Sequence, residues 1–412
     1  MLKTDKITTI TLLIFVVLAY SIMPIVPRFF SAYLTTYAYL AVVLITVLAV
    51  LLIGKQEFII KMFPILLPML MLNVLIYFST KPSIVLWGYT FLLDILAIIL
   101  GIYVLQAYDY KVIRILTFFV LILYGITALT TIIGLNENPD AARYLATVAD
   151  ASEEEAVKYG FMNIGGFEFV YSVALIYPAI IYGFKRKKIH VAIVIVYAVV
   201  DFLLVVNSGY TIALLLFIAS TVFVFFKNDL TVKNVVIIFI ITLAVSLLLF
   251  PVVSYLLDAL ADIIDNETIA ERLRDLTGGR EGLEASEDNR LALYMTSLTS
   301  FLTHPIFGGM FNGVSLGGHS YILDTVAQYG VFGLLALVLI YRAIYKQFFK
   351  VYKNETGYGY VFWIFMQAVI LSLINTGMWL YELVLLIPVI LTYINQKGIK
   401  HEGSLDSKLF TE

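Results

Sequence analysis

The sequence predicts an all-α protein that crosses a membrane many times. Of its 412 residues, 61% are hydrophobic and only 14% are charged, whereas about one quarter of the residues in a soluble domain are charged. The mean hydropathy is +0.95. Apolar runs of roughly 20 residues, the length of a helix across a bilayer core, recur along the chain. We therefore expect a polytopic membrane protein rather than a set of soluble domains.

Twelve apolar runs are candidate transmembrane helices. They lie at 7–25, 32–53, 58–79, 84–106, 112–134, 161–184, 189–206, 208–226, 234–257, 319–341, 360–377 and 379–395. The break between the seventh and eighth runs, at Asn207-Ser208-Gly209, is tight, which predicts a helical hairpin. The last two runs are separated only by Thr376-Gly377-Met378, so ten or eleven spans are alternatives to about twelve.

Lysine and arginine orient the chain. With a cytoplasmic N-terminus, 19 of the 27 Lys and Arg residues fall in cytoplasmic segments, as the positive-inside rule requires. The expected order is helices 1–9 over residues 1–257, a large late extracytoplasmic loop at 258–318, helices 10–12 at 319–395 and a tail at 396–412. Both termini are then cytoplasmic.

Two outer segments are long enough to hold structure. Residues 135–160 are expected to form a short polar helix near the membrane interface. Residues 258–318 form the largest hydrophilic segment, and loops of that length are usually functional or disordered. The second half of this loop, RLALYMTSLTSFLTHPIFGG, has Leu, Met and Phe at helical spacing. That spacing predicts an ordered amphipathic helix.

Several kinds of chemistry are excluded or disfavoured by the residues. The chain has no cysteine, which excludes thiolate nucleophiles and Cys-based metal sites. His-x3-His and Asp-x-Asp pairs, a Walker loop and a Gly-rich dinucleotide turn are absent from the sequence, so neither a metal nor a nucleotide cofactor is expected. The formal net charge of -2 gives no reason to expect a nucleic-acid partner.

Five acidic residues fall inside the predicted spans, where ionisable groups are costly and usually face a protein interior or a wet cavity. They are Asp94, Glu168, Asp201, Asp324 and Glu382. All except Asp94 fall in the outer halves of their spans. Their shared depth predicts a polar cavity open to the outside. The alternative is that each pairs with a neighbour or reaches the interface on its own.

The loop at 258–318 contains ten acids and four bases, and all four bases are arginines. A guanidinium binds phosphate oxygens bidentately. Because the loop is net acidic, any phosphate site in it must be formed locally by one or two of these arginines. Arg290 opens the amphipathic helix, where free backbone N–H groups also favour anions. Arg280 follows Gly278-Gly279. An ordinary ion pair is the alternative for both.

His319 is the histidine best placed for chemistry. It follows Gly317-Gly318, begins the tenth predicted span and faces the long loop. A capping or solvated role is the alternative. His304 precedes Pro305 in a turn, where a structural role is favoured.

The segment from Gly318 to Leu334 resembles a signature of bacterial O-antigen ligases and Wzy-type repeat-unit polymerases. Its GHSYILD and QYGVFGL stretches are similar to that superfamily's His-[Asn/Ser]-x-x-Leu run followed by Gly-x-x-Gly-Leu. Arg290, Tyr294 and the HPIFGG stretch at 304–309 resemble the preceding segment of the same proteins. The Asn207-Ser208-Gly209 break is similar to their Ser-[Arg/Gly]-Gly hairpin, without the common Arg. The likeness covers residues near 200–220 and 280–342 and the plan of 10–14 spans with a late outer loop.

The resemblance implies a fold like that of the C-type membrane glycosyltransferases. It implies glycosyl transfer from a polyprenyl-diphosphate-linked glycan at the outer face of the bacterial cytoplasmic (inner) membrane. Without a metal, arginine donors would stabilise the departing diphosphate, and the family roles map onto Arg290, Arg280 and His319, with His319 able to act as base. Substrate contacts are expected from the following residues: Asp324, Tyr321, Asp201 and Glu168.

The leading hypothesis is a polymerase of capsular, exo- or O-antigen polysaccharide. Its expected partners are the lipid-linked oligosaccharide, membrane lipid, a flippase and a chain-length regulator. An O-antigen ligase uses the same donor, but a phosphate-rich lipid A-core acceptor would favour a more basic surface. A flippase or other transporter predicts repeated halves and ionisable residues near the midplane. A peptidoglycan-type polymerase has a similar layout, but its motifs are not evident.

Overall fold

The computed structural model describes residues 14–26, 56–80, 84–107, 110–138, 161–226, 230–263, 290–311 and 313–395, with the single positions 28, 41, 44, 45, 48, 141 and 145. Every regular element in these ranges is helical. The all-α prediction is therefore confirmed for the described part of the chain.

The helices are numbered in chain order after a first helix at 14–22. They are α1 (Gln56–Thr80), α2 (Ile84–Ala107), α3 (Tyr110–Glu137), α4 (Phe167–Lys185), α5 (Val191–Ser208), α6 (Thr211–Val222), α7 (Val232–Ile263), α8 (Arg290–Thr303), α9 (Tyr321–Ile344), α10 (Tyr358–Ile374) and α11 (Glu382–Asn395). A π-helical turn (Tyr345–Phe349) and a 3-10 turn (Lys350–Tyr352) extend α9. A second π-helical turn (Glu382–Leu386) opens α11.

Several helices are long and apolar enough to cross a membrane. Among the described residues there are five, at Ile60–Ser79, Tyr110–Glu137, Phe167–Lys185, Val191–Ser208 and Tyr321–Tyr352. Shorter apolar helices lie between them in the sequence. The structure is thus that of an α-helical membrane protein, while the number of twelve spans stays a prediction.

Helix α4 is the centre of the fold. Every residue from Phe169 to Gly183 is buried, so this helix is apolar on all sides, as a helix enclosed by others must be. It packs against α5, α6, α10 and α11. Helix α9 lies further out, against α1, α8 and α10.

Two predicted span boundaries near the core can be compared with the observed helices. Helix α5 ends at Ser208, Gly209 adopts a left-handed φ of +69°, and α6 begins at Thr211, so the predicted hairpin is confirmed. The sixth predicted span begins later than expected, at Phe167 rather than residue 161. The Arg28 guanidinium donates to the carbonyl oxygens of residues 161, 162 and 164, and this holds the segment before α4 out of a helix.

The predicted outer segments are described only in part. Helix α3 runs on to Glu137 and α7 to Ile263, so each continues past the predicted end of its span. Most of 138–160, and all of 264–289, lie outside the described residues. The amphipathic helix predicted in the second half of the large loop is confirmed as α8, Arg290–Thr303.

The connecting segments meet at two opposite ends of the helix bundle. At one end, Arg186 pairs with Glu355 at 2.9 Å, and the amide of Gly359 donates to the carbonyl of Leu230 at 2.9 Å. We call this the basic end, since it also carries Lys185, Lys187, Lys188, Lys350 and Lys353. The other end consists of residues 161–168, 209–210, 313–324 and 374–382. We call it the acidic end, because its charged side chains include Glu168, Asp324 and Glu382.

Candidate functional site

The turn after α8 is locked to a break in α9. Gly330 has φ +60° and ψ -144° inside an otherwise helical segment, a backbone conformation open to glycine but not to residues with a side chain. The Val331 amide donates to the Pro305 carbonyl at 2.8 Å, and the Gly309 amide donates to the Ala327 carbonyl at 3.1 Å. The sequence stretches HPIFGG and QYGVFGL are therefore one structural unit.

Ser297 and Asp324 hold the upper part of α8 against the start of α9. The Ser297 hydroxyl donates to Asp324 Oδ1, and Asp324 Oδ2 accepts from the Ser320 amide at 3.1 Å. The Ser320 hydroxyl caps α9 by accepting from the Leu323 amide at 3.0 Å. Both carboxylate oxygens of Asp324 thus accept hydrogen bonds inside the protein, and its expected contact with substrate stays a prediction.

His319 lies just outside α9, in the segment that leads into the helix cap. It is half-buried and makes no hydrogen bond with any described residue. The helix begins at Tyr321, so the expectation that His319 starts the span is corrected by two residues. An imidazole placed before a cap, with both ring nitrogens unused, is available to a ligand.

Arg290 and His319 belong to the same corner of the molecule. A Cβ on Gly317 would lie 2.2 Å from the Leu293 carbonyl oxygen, so the two backbones touch there. Arg290 is one helical turn, about 5 Å, before Leu293, and His319 is at most about 7 Å of chain beyond Gly317. The side chain of Arg290, and Arg280 altogether, lie outside what the structure describes.

The link between α10 and α11 joins this corner to a second group of side chains. The Tyr294 hydroxyl donates to the Ile374 carbonyl at 2.9 Å, and the Tyr321 amide donates to the Asn375 carbonyl at 2.8 Å. Four residues later, Trp379 has a φ of +56°, which costs a bulky residue about 1–2 kcal/mol. Such strain persists only where the surroundings enforce it and is concentrated at functional sites.

An aromatic group surrounds Trp379. Its ring centroid lies 5.7 Å from that of Tyr171 and 6.3 Å from that of Phe167. Tyr210, from the α5–α6 hairpin, lies 5.6 Å from Tyr171. The indole N–H of Trp379 is buried and makes no hydrogen bond with the described residues.

Two carboxylates lie beside the aromatic group. Glu168 and Glu382 are within electrostatic range of each other, and Ser172 lies close to Glu382. Tyr124 is hydrogen-bonded to Ser172 at 2.5 Å. Glu168 is exposed and Glu382 is half-exposed, so the pair is accessible from the acidic end. We call Glu168 and Glu382 the carboxylate pair.

Asp201 and Asp94, two other predicted acids, lie beside tyrosines, and the expected shared cavity stays a prediction. Asp201 is only 1% exposed, and neither carboxylate oxygen has a hydrogen-bond partner among the described residues. Its electrostatic neighbours are Tyr177 and Tyr197. Asp94 lies within electrostatic range of Tyr321 at the start of α9. The predicted contact of Asp201 with substrate is therefore not supported by its surroundings.

Tyr321, which was expected to contact substrate, is half-buried. Trp379, Tyr171 and Tyr210 are aromatic residues that the sequence analysis missed. The polar break at Asn375-Thr376-Gly377 could have drawn attention to the neighbouring Trp379. The grouping of Trp379 with Tyr171 and Tyr210, however, depends on contacts between distant helices.

No metal centre is evident in the described ranges, where no three His, Asp or Glu side chains are grouped as ligands would be. Comparison with known proteins does not assign the chain to a family. No protein-family model matches the chain, and no curated protein matches it. The case for a function therefore rests on the residues themselves.

Proposed function

We propose that this protein is a membrane glycosyltransferase that joins polyprenyl-diphosphate-linked oligosaccharide repeat units into a surface polysaccharide. The observation that carries the proposal is the bonded unit of α8, the HPIFGG turn and the start of α9. Three sequence stretches that resemble repeat-unit polymerases meet in that unit. Arg290 and His319 belong to its upper corner, where Gly317 touches Leu293.

The proposed reaction breaks the bond between the anomeric carbon of one glycan and its lipid diphosphate. A hydroxyl oxygen of the next repeat unit forms the new bond to that carbon. His319 takes the hydroxyl proton, in the role of general base. Arg290 neutralises the negative charge that develops on the departing diphosphate, as a preorganised guanidinium can. The lipid diphosphate leaves with the bonding electron pair.

The carboxylate pair and the partly exposed rings of the aromatic group, Phe167 and Tyr210, supply the sugar-binding surface in this proposal. Carboxylate oxygens accept hydrogen bonds from sugar hydroxyls, and Glu168 and Glu382 are both accessible. Aromatic rings offer flat apolar faces with polar edges. Phe167 precedes Glu168 in the chain, and its ring contacts that of Tyr210, whereas Tyr171 and Trp379 are buried. The link at 374–379 connects this surface to the His319 corner.

The charge distribution supports an orientation for the proposed enzyme. The basic end carries clustered lysines and Arg186, and the positive-inside rule assigns such an end to the cytoplasm. The acidic end, with His319 and the carboxylate pair, then faces outward from the bacterial cytoplasmic membrane. Lipid-linked glycans delivered by a flippase would meet the enzyme there, and a chain-length regulator would act on the same side.

A transporter of lipid-linked sugars is the second candidate, and Asp201 is the observation that favours it. An unpartnered carboxylate inside a membrane helix is a default candidate for ion or proton coupling. An O-antigen ligase would share the donor chemistry and differ only in its acceptor.

One experiment separates these functions. Purified protein in detergent is mixed with lipid-linked repeat units, and the products are resolved by size. A polymerase makes longer glycans on the lipid without a membrane gradient. A ligase transfers glycan only when a lipid A-core acceptor is added. Unchanged substrate under both conditions would reject the proposal and leave transport as the remaining candidate function.

A further inference from the structure

The chain between α8 and α9 folds back along α8 instead of leaving it. After the turn at 304–309, the returning segment reaches Ser315, whose carbonyl accepts from the Ser300 hydroxyl at 2.7 Å. Two residues later, the Gly317 amide donates to the Ser297 hydroxyl oxygen at 2.8 Å. Residues 290–317 therefore form a hairpin of one helix and one extended return. We call it the α8 hairpin.

The turn of the α8 hairpin lies far down α9. Its upper part is bonded at the α9 cap through Ser297 and Asp324, whereas Pro305 and Gly309 are bonded to Val331 and Ala327. At 1.5 Å per helical residue, the turn lies about 10–15 Å below the Ser320 cap. Helix α9 is itself long and apolar enough to span a membrane.

The position of the membrane along α9 follows from its own residues. Arg342 is exposed near the basic end of the helix. About 20 residues span the hydrocarbon core, so counting back from Arg342 sets the other boundary near residue 322. The turn of the α8 hairpin is then level with hydrocarbon rather than with water.

The side chains at the turn suit that environment. Leu302 is 66%, Ile306 59% and Phe311 73% exposed. Below the turn, α9 exposes Val331, Phe332, Leu335 and Val338, and Phe307 stacks on Phe332 with centroids 5.6 Å apart. The apolar surface of the hairpin therefore continues the apolar surface of the membrane helix.

Two polar side chains of the α8 hairpin near this surface, Thr303 and His304, are hydrogen-bonded within the protein. The Thr303 hydroxyl donates to the Thr299 carbonyl at 2.9 Å and is bonded to His304 Nδ1 at 3.0 Å. The broken turn at Gly330 is completed by Pro305 and Gly309. Irregular backbone at membrane depth requires this pairing, because hydrocarbon offers no hydrogen bonds.

From this geometry we infer that the α8 hairpin is a re-entrant element whose turn contacts the acyl chains of the bilayer leaflet at the acidic end. The expected extracytoplasmic loop at 258–318 would then include a part that dips into the membrane. The depth of the turn and the continuity of the apolar surface support this placement, which is independent of the proposed enzymatic function.

Nitroxide accessibility tests this inference, and the absence of cysteine makes single-cysteine variants direct. Leu302→Cys and Ile306→Cys report on the turn. Val338→Cys is the lipid-facing reference on α9, and Lys353→Cys is the aqueous reference at the basic end. Leu316→Cys, also an exposed apolar position of the hairpin, is the matched control beside the α9 cap. Each spin-labelled variant is placed in vesicles of synthetic phospholipid that contain no polyprenyl lipid.

The expected result is that labels at 302 and 306 collide with oxygen and avoid a water-soluble nickel chelate, as the label at 338 does. The label at 316 should be several-fold more accessible to the chelate. The inference is overturned if labels at 302 and 306 meet the chelate as freely as the label at 353. It is also overturned if shielding appears only after polyprenyl phosphate is added, or if dilution to one protein per nanodisc removes it, because the occupant is then an isoprenoid chain or a second copy.

Discussion

The Val331 amide donates its hydrogen bond to the Pro305 carbonyl, 2.8 Å away, and not to the Ala327 carbonyl four residues earlier in its own helix. The Ala327 carbonyl accepts instead from the Gly309 amide. The two groups freed by the break in α9 are thus satisfied by the turn after α8. Since buried backbone groups without partners are costly, the turn and the break depend on each other.

Gly330→Ala should destabilise the protein by more than about 2 kcal/mol. The added Cβ would lie 2.3 Å from the Ile306 carbonyl oxygen, on a backbone with φ +60°. Thermal unfolding of the detergent-solubilised protein measures the loss. Gly125→Ala is the matched control, because its Cβ meets only the Tyr197 hydroxyl at 3.6 Å. Equal melting temperatures for the two variants would show that the contact between the turn after α8 and the break in α9 adds no stability.

Ser297→Ala and Asp324→Ala should each cost about 1–3 kcal/mol, because each leaves a partly buried polar partner unsatisfied. The double variant should cost clearly less than the sum, since one interaction is removed twice. Thr296→Val is the control, because the Thr296 hydroxyl bonds only within α8, to Ala292. Additive losses would mean that the hydroxyl and the carboxylate do not interact in solution.

Asp201→Asn should leave glycan lengthening unchanged and raise the melting temperature. A buried carboxylate with no partner costs free energy that a neutral amide of the same shape largely avoids. Lengthening of lipid-linked glycans in detergent and thermal unfolding are the two measurements. Loss of lengthening in a stable Asp201→Asn variant would contradict this prediction and give the residue a functional role in glycosyl transfer.

Glu382→Gln should weaken substrate use while leaving stability unchanged or improved. The substitution removes one of two neighbouring carboxylates, whose repulsion costs free energy in a partly buried site, but it also removes an acceptor for sugar hydroxyls. KM for the lipid-linked repeat unit should rise several-fold. Glu137→Gln, at the exposed end of α3, is the control. A KM equal to that of the control would remove the carboxylate pair from the proposed substrate site.

The helices could be predicted from the sequence because a membrane helix needs a long apolar run and little else. The hairpin at Asn207-Ser208-Gly209 was also predictable, since the break is local and Gly209 takes the left-handed conformation that ends α5. The position of α8 in the sequence followed in the same way from its apolar spacing.

The remaining features depend on contacts between distant residues. Nothing local marks the break at Gly330, because the apolar run continues through it. The late start of α4 depends on Arg28, more than 130 residues earlier. The approach of Glu168 to Glu382 depends on how α4 and α11 pack, which the depth of each acid in its own span does not reveal.

Arg290→Lys should abolish lengthening while the protein still accumulates in the membrane. A lysine keeps the charge but loses the planar fork that binds two phosphate oxygens at once. Arg342→Lys, exposed near the basic end, is the matched control and should lengthen glycans normally. Normal product from Arg290→Lys would exclude a bidentate role for this arginine.

The most direct measurement compares wild-type protein and His319→Ala in detergent, at equal amounts of folded protein, with lipid-linked repeat units as the only substrate. His190→Asn, which keeps a side-chain acceptor at the α5 cap at the opposite end, is the control. The wild type and the control should produce a ladder of longer lipid-linked glycans, and His319→Ala should leave the repeat units unchanged. A ladder from His319→Ala as long as that of the wild type, or no ladder from the wild type, would contradict glycosyl transfer at this corner of the protein.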